Sequence, residues 1–171
     1  MAHRLIPGVV WLLALACLAT LATSAWAADW GGIEAGVSTL EQVRERYGAA
    51  SKESRAKVEG YDTMQWIYEG PRAPAGLIRM VVDIGLLTPA GYKPNVVRVF
   101  RLEPKPLIFG RNTVISGWGV PDGVATEGGQ TTFYYKIGLL VTFDTTGENA
   151  VVMNFTVPQP DQPAPPAPPR R

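Results

Sequence analysis

GLLVTFD, residues 138–144, and GLIRMVVD, residues 76–83, are near-copies of one stretch, and the fold turns on how they are read. Each follows an aromatic run: Phe133-Tyr134-Tyr135 precedes the later copy, and Trp66-Ile67-Tyr68 the earlier one. Their β-branched and aromatic residues suit a pleated, half-buried surface, so both predict strands. Further out, Asn95-Val96-Val97-Arg98-Val99-Phe100 aligns without gaps on Ala150-Val151-Val152-Met153-Asn154-Phe155, and Tyr47-Gly48 matches Trp118-Gly119. Landmarks that recur in one order predict an internal repeat. The expected fold is α+β: two tandem helix-plus-three-strand repeats sharing an antiparallel sheet with helices on one face. Unit one is read at about 33–103 and unit two at about 107–157.

The strands are predicted over 62–69, 77–83 and 95–102 in the first unit, and over 131–137, 139–144 and 150–157 in the second. Ser38-Thr39-Leu40-Glu41 reads as a capping box that opens the first helix. Leu40, Val43 and Tyr47 fall on one face at helical spacing, and Gly48 supplies a left-handed stop. The second helix, within Gly110–Trp118, holds Thr113, Val114, Ile115 and Gly117, which are weak helix formers, and is expected to be short.

The two ends differ in kind from the middle. Residues 1–27 read as a signal peptide, with Arg4 before an apolar stretch from Val9 to Leu21 and a small-x-small site at Ala25-Trp26-Ala27. Two alternatives stand beside cleavage: retention of Ile6–Ala27 as a membrane anchor, or lipidation at Cys17. Residues 158–171 contain seven prolines and read as a Pro-rich disordered tail, extended and solvated, with a spacer or a ligand for a proline-binding groove as the functional alternatives. Residues 28–157 between them form the predicted domain.

Loss of the first segment removes His3 and Cys17, the chain's only histidine and only cysteine. Thiol nucleophiles, disulfides, histidine-based triads and zinc sites built on Cys or His are then excluded, as is the usual general base near neutral pH. No cofactor or metal is expected. Basic and acidic side chains balance at fifteen each in residues 28–171, so nucleic acid is not an expected partner. Carboxylate pairs need no histidine. Asp83 and Asp144 at matching strand ends, with Glu69 nearby, are therefore the catalytic candidates to set against simple turn-forming acids. No phosphate-binding glycine motif is present.

The binding candidates are aromatic and apolar. Trp66 and Tyr68 share one strand face, and Tyr134 and Lys136 are read as sharing the matching one. If that face is open they form a platform of the residue type favoured at binding hot spots, and if the helix covers it they are core. The stretch Ile84–Asn95 reads as a long irregular loop that carries Leu86, Leu87 and Tyr92 either to a contact surface or back over the core as a lid. Arg72, in Gly70-Pro71-Arg72-Ala73-Pro74-Ala75, is read either as a reader of acidic groups or as part of a rigid turn.

A helix that opens on Gly36-Val37-Ser38-Thr39 and closes on Tyr47-Gly48, then Trp66-x-Tyr68 and a strand beginning Gly76-Leu77, resembles the small outer-membrane-assembly lipoproteins of the SmpA/OmlA type. Two such units in tandem resemble the secreted β-lactamase inhibitor protein. The resemblance covers about residues 33–157 and implies binding rather than catalysis. It implies an exported, non-enzymatic protein-binding module of the bacterial envelope, periplasmic or secreted after cleavage near Ala27, either assembly-factor-like or inhibitor-like. The expected partner is another envelope or secreted protein, with membrane association only if the first segment is retained or Cys17 is lipidated. A carboxylate-dependent envelope glycan hydrolase and a membrane-anchored structural protein are the alternatives.

Overall fold

The computed structural model describes residues 27–158. Residues 1–26, on which the expected signal peptide and Cys17 fall, and residues 159–171, on which most of the expected proline-rich tail falls, lie outside the described residues. In chain order the described residues form β1 (Asp29–Trp30), β2 (Ile33–Glu34), α1 (Leu40–Tyr47), β3 (Lys52–Val58), β4 (Tyr61–Glu69), β5 (Leu77–Thr88) and β6 (Gly91–Pro104). They continue with α2 (Arg111–Trp118), β7 (Gly123–Glu127), β8 (Gln130–Tyr135), β9 (Leu139–Phe143) and β10 (Ala150–Thr156). Among these residues, β1 and β2 pair as a hairpin, and the rest make one eight-stranded antiparallel sheet in the order β3-β4-β5-β6-β10-β9-β8-β7.

This overturns the expected pair of helix-plus-three-strand repeats. The described protein is mostly strand, with two α-helices of eight residues each, and a helix-plus-strand repeat of the SmpA/OmlA type does not describe it. The sequence reading missed β3 and β7, and the reason is physical. All seven residues of β3 are exposed, and β7 is exposed apart from a half-buried Gly123, so neither carries the period-2 alternation that marks a half-buried strand. Both are edge strands, and β3 is blunted by Lys52, Arg55 and Lys57. Each is held by a tight turn with left-handed backbone: Glu59 (φ 53°) and Gly60 (φ 85°) before β4, Gly128 (φ 57°) and Gly129 (φ 79°) before β8. The stretch Ile84–Asn95 is not an irregular loop either. It is the far end of the β5–β6 hairpin, paired out to Thr88 and Gly91.

α1 begins one residue later than the sequence suggests. Thr39 is the N-cap, its hydroxyl accepting from the Gln42 amide (3.4 Å) while Gln42 Oε1 accepts from the Thr39 amide (2.9 Å). Ser38 is buried and instead accepts from the Glu34 amide (2.9 Å). Val43 is the buried anchor of α1, and Gly48 ends the helix at φ 74°. α2 is anchored by Val114 and ends at Gly119, φ 84°.

Both helices lie on the face of the sheet that carries the core. A tyrosine ties each helix end to it. Tyr68 donates to the Gly48 carbonyl (3.1 Å), and Tyr135 donates to the Gly119 carbonyl (3.1 Å). The core is continuous across the seam where β6 meets β10. There Phe100 lies directly opposite Phe155, rings stacked at 4.4 Å and 5° from parallel, and Trp118 of α2 meets Phe155 edge-on. Phe155→Ala is expected to cost ~3–5 kcal/mol of unfolding free energy, because it removes a fully buried ring and leaves a cavity at the seam. Exposed Val124→Thr is expected to change stability by less than ~0.5 kcal/mol. Urea unfolding midpoints of the two variants compare these outcomes.

Candidate functional site

The strand alternation that aims one set of side chains at the helices leaves the other set on an uncovered face. One register row crosses the sheet there: Lys52, Ile67, Val81, Arg101, Asn154, Leu140 and Tyr134, each paired with the next. Around the half-exposed Ile67, Val81 and Val99 the polar groups are held in pairs. Gln65 Nε2 donates to Asp83 (2.8 Å), Arg79 forms an ion pair with Glu103 (2.6 Å), and Arg101 Nε donates to Asn154 (3.2 Å). Lys52 pairs with Glu69 at 2.6 Å, and that contact holds the Glu69 carboxyl below its ordinary value.

At one end of this face the β3–β4 and β5–β6 hairpin tips enclose a cleft of about 260 Å³, lined by Val58, Glu59, Tyr61, Thr63, Gly85, Leu86, Leu87, Tyr92 and Arg98. Two register shifts in β5–β6, flanking Ile84, set its shape. Gly85 (φ 105°) leaves room for Tyr92 to cross it, and the Tyr92 hydroxyl donates to the Asp62 carbonyl on β4. The Tyr92 ring stacks on Tyr61 at 4.7 Å, beside exposed Leu87 and Val58. Arg98 is the extra residue where β6 bulges between Val97 and Val99, and its Nε is buried with no hydrogen-bond partner among the described residues. At the opposite end of the face, a groove of about 320 Å³ is lined by Ile78, Glu103, Pro104, Pro106, Asp144, Asn149, Ala150, Val151 and Val152.

The predicted binding residues divide. Trp66 and Tyr68 are core, 1% and 0% exposed, so the platform they were to form does not exist. Burial also pushes the Tyr68 phenol up to about 12. The matching pair in β8 is Phe133 and Tyr135, both buried. Tyr134 therefore points to the open face, 42% exposed: the sequence alignment slips by one residue there, and a slip of one exchanges faces. Lys136 is exposed just past β8, where its backbone amide donates to Asp122 (2.8 Å). Leu86, Leu87 and Tyr92 do come together, in the tip cleft, but Tyr134 and Lys136 sit on the far half of the sheet. Arg72 is occupied by the carbonyl of Ala50 (2.5 Å). Sequence reasoning missed Val58, Tyr61 and Arg98. Val58-Glu59-Gly60-Tyr61 carried a usable signal, since a two-residue turn containing glycine between apolar residues marks a hairpin.

The carboxylate pair is not assembled. Asp83 lies opposite Val99, which lies opposite Thr156, whose amide bonds to the Gly138 carbonyl. Asp144 is six residues beyond Gly138, which is about 20 Å along the strand and far outside the ~5–10 Å of glycosidase pairs. Asp83 is a mid-strand residue bonded to Gln65, while Asp144 organises its own turn. Hydrogen bonds from the Thr146 hydroxyl (2.6 Å) and the Asn149 amide (3.0 Å) lower the Asp144 carboxyl to about 2. Among the described residues, no cluster of three or more His, Cys, Asp or Glu is placed to hold a metal ion.

A scan against protein-family models finds no match, and a search of curated proteins finds no relative. Among solved structures, the chain is similar to a DUF4309 family protein (YjgB) from Bacillus subtilis subsp. subtilis str. 168. The identity is 12% and the TM-score 0.44, over 74% of this chain and 82% of that one. The likeness to SmpA/OmlA-type lipoproteins and to the β-lactamase inhibitor protein is not sustained, because the fold is a single broad sheet with two short helices.

Gly85→Ala tests the cleft. A Cβ there would lie 2.5 Å from the Tyr92 hydroxyl oxygen at a φ that L-residues avoid, so a loss of ~1–3 kcal/mol is expected. Adding Tyr92→Phe removes that oxygen, so the double variant is expected to lose less than the two single losses combined, as a chemical-unfolding cycle reads directly. Asp144 gives a pH signature. Its folded value lies below the ordinary 3.8, so its stabilisation is complete above 3.8 and lost as pH falls through about 2. The Tm gap between the native chain and Asp144→Ala is expected to hold down to about pH 5 and to close near pH 2.

Proposed function

We propose that this chain is an exported, non-enzymatic protein-binding module whose contact surface is the open face of the sheet, with the Tyr61–Tyr92 cleft as its anchor. The observation that carries this reading is the cleft itself. Two stacked tyrosines, an exposed leucine and an arginine converge at the rim of a face whose polar groups are already paired. Tyrosine and arginine dominate binding hot spots, because they bring large rigid area at small entropic cost. Charged groups already held in ion pairs are pre-organised and lose little further freedom on contact. A second protein with an apolar projection flanked by carboxylates matches this chemistry.

Leu87→Ser and Tyr61→Ala test it. Both side chains are more than a third exposed, so Tm is expected to change little. Capture of the partner from envelope extract, with residues 28–171 as bait, is expected to fall about tenfold or more if either residue is a hot spot. A bait that retains its catch in both variants overturns the assignment of the cleft.

A further inference from the structure

The two edges of the sheet are built differently. β3, at one edge, carries Lys52, Glu53, Arg55 and Lys57, and charge of that kind keeps other strands away. β7, at the other, reads Gly123-Val124-Ala125-Thr126-Glu127, with one charge at its end and no proline. All of its residues pair one to one with β8, Val124 is 59% exposed, and among the described residues nothing pairs with its outer edge. We propose that β7 is an interface with a second copy of this chain: two β7 strands pair antiparallel about a two-fold axis at Ala125, with Val124 of each copy opposite Thr126 of the other.

The backbone supplies the first support. β7 and β8 are joined by Gly128 (φ 57°) and Gly129 (φ 79°), a two-residue turn that closes on the hydrogen-bonded pair Glu127 and Gln130. Hydrogen-bonded and non-hydrogen-bonded pairs alternate along an antiparallel ladder, so Ala125 and Gly123 also bond to β8. The Tyr134 carbonyl, opposite Gly123, does face that way, where it accepts from the Asp122 amide (2.9 Å). The amides and carbonyls of Val124 and Thr126 are left pointing out of the sheet. In the register centred on Ala125, these are the groups that the two copies exchange, and the axis repeats each bond.

Side chains supply the second support. In that register each Glu127 lies opposite Gly123 of the other copy, and the two Glu127 residues stand about 13 Å apart along the strand, so like charges do not meet. Val124 and Thr126, both β-branched, face each other on the side that carries the helices, since Val124 lies opposite buried Phe133 in β8. A two-residue shift either way shortens the pairing, and one of the two brings the glutamates together. The pairing joins two eight-stranded sheets into one, and the Tyr61–Tyr92 clefts, on the half of each sheet far from β7, stay clear at its outer ends. On the binding reading above, one dimer therefore offers two clefts, and a partner with two matching groups gains from effective concentration.

The test uses residues 28–171, which hold every strand, helix and core residue described above, and reads mass by analytical ultracentrifugation from micromolar to millimolar concentration. The native chain is expected to rise from monomer to dimer and stop there. Val124→Lys with Thr126→Lys sets lysine against lysine in both pairs, and its dimer is expected to be weaker by about tenfold or more. Val124→Lys with Thr126→Glu sets lysine against glutamate at the same exposed sites and is expected to dimerise as the native chain does. Val124→Pro removes one outward amide, leaves the β8 ladder intact and is expected to be monomeric with a Tm close to the native value. A native chain that stays monomeric at millimolar concentration overturns the proposal. So does a mass that grows past the dimer, and so does equal dimerisation of the lysine–lysine and lysine–glutamate variants. No cleft residue is altered and no outside partner enters the measurement, so its failure and the failure of partner capture are read separately.

Discussion

Everything in this structure depends on the seam between β6 and β10. A four-stranded antiparallel meander follows each helix, and alone each would expose one apolar face along its inner edge. Pairing Phe100 with Phe155 across the seam joins the two into one sheet and one core. The backbone hydrogen bonds of that pair align the strands. The stacked rings, fully buried, contribute the hydrophobic stabilisation that holds them together.

The two short helices cover only one face, and the way they are attached decides what is left open. Tyr68 and Tyr135 each reach from the sheet to the carbonyl at a helix end, satisfying an acceptor that a helix terminus would otherwise leave unpaired. With the helices pinned there, the alternate residues of every strand are left to solvent. That face is neither a second core nor a plain wet surface. Its half-exposed apolar residues are interleaved with ordered ion pairs and amide contacts, and its apolar weight is concentrated at the hairpin tips. A bulge at Arg98 and a glycine at position 85 turn a flat hairpin end into a cleft. Both are features of backbone geometry, and neither leaves a residue motif behind.

The central strands could be read from composition because they alternate or run apolar, and α1 because Leu40, Val43 and Tyr47 recur at helical spacing and Gly48 follows. The edges could not. β3 is a charged strand exposed on both sides, and its formation depends on a neighbour already being in place. The same limit applies to the site. Leu86, Leu87 and Tyr92 were visible as apolar residues with no obvious core to join. Their companions Tyr61 and Val58 come from a different hairpin, brought beside them only by the pairing of β4 with β5. Trp66 and Tyr68 are binding candidates by residue type, but residue type does not say which face a strand turns inward.

The amino-acid sequence by itself determined the positions of the core strands, the stop of α1 and the lack of histidine and cysteine in residues 28–171, because each is a property of local chain chemistry. Tertiary structure alone decided that there is one broad sheet, which face of it stays open, that Tyr134 points outward while Phe133 and Tyr135 point in, and that Asp83 and Asp144 never meet. Those outcomes depend on strand register and pairing across the seam. Register is fixed by the summed burial of many residues on several strands, and a shift of a single residue reverses every face, so no local stretch carries that information.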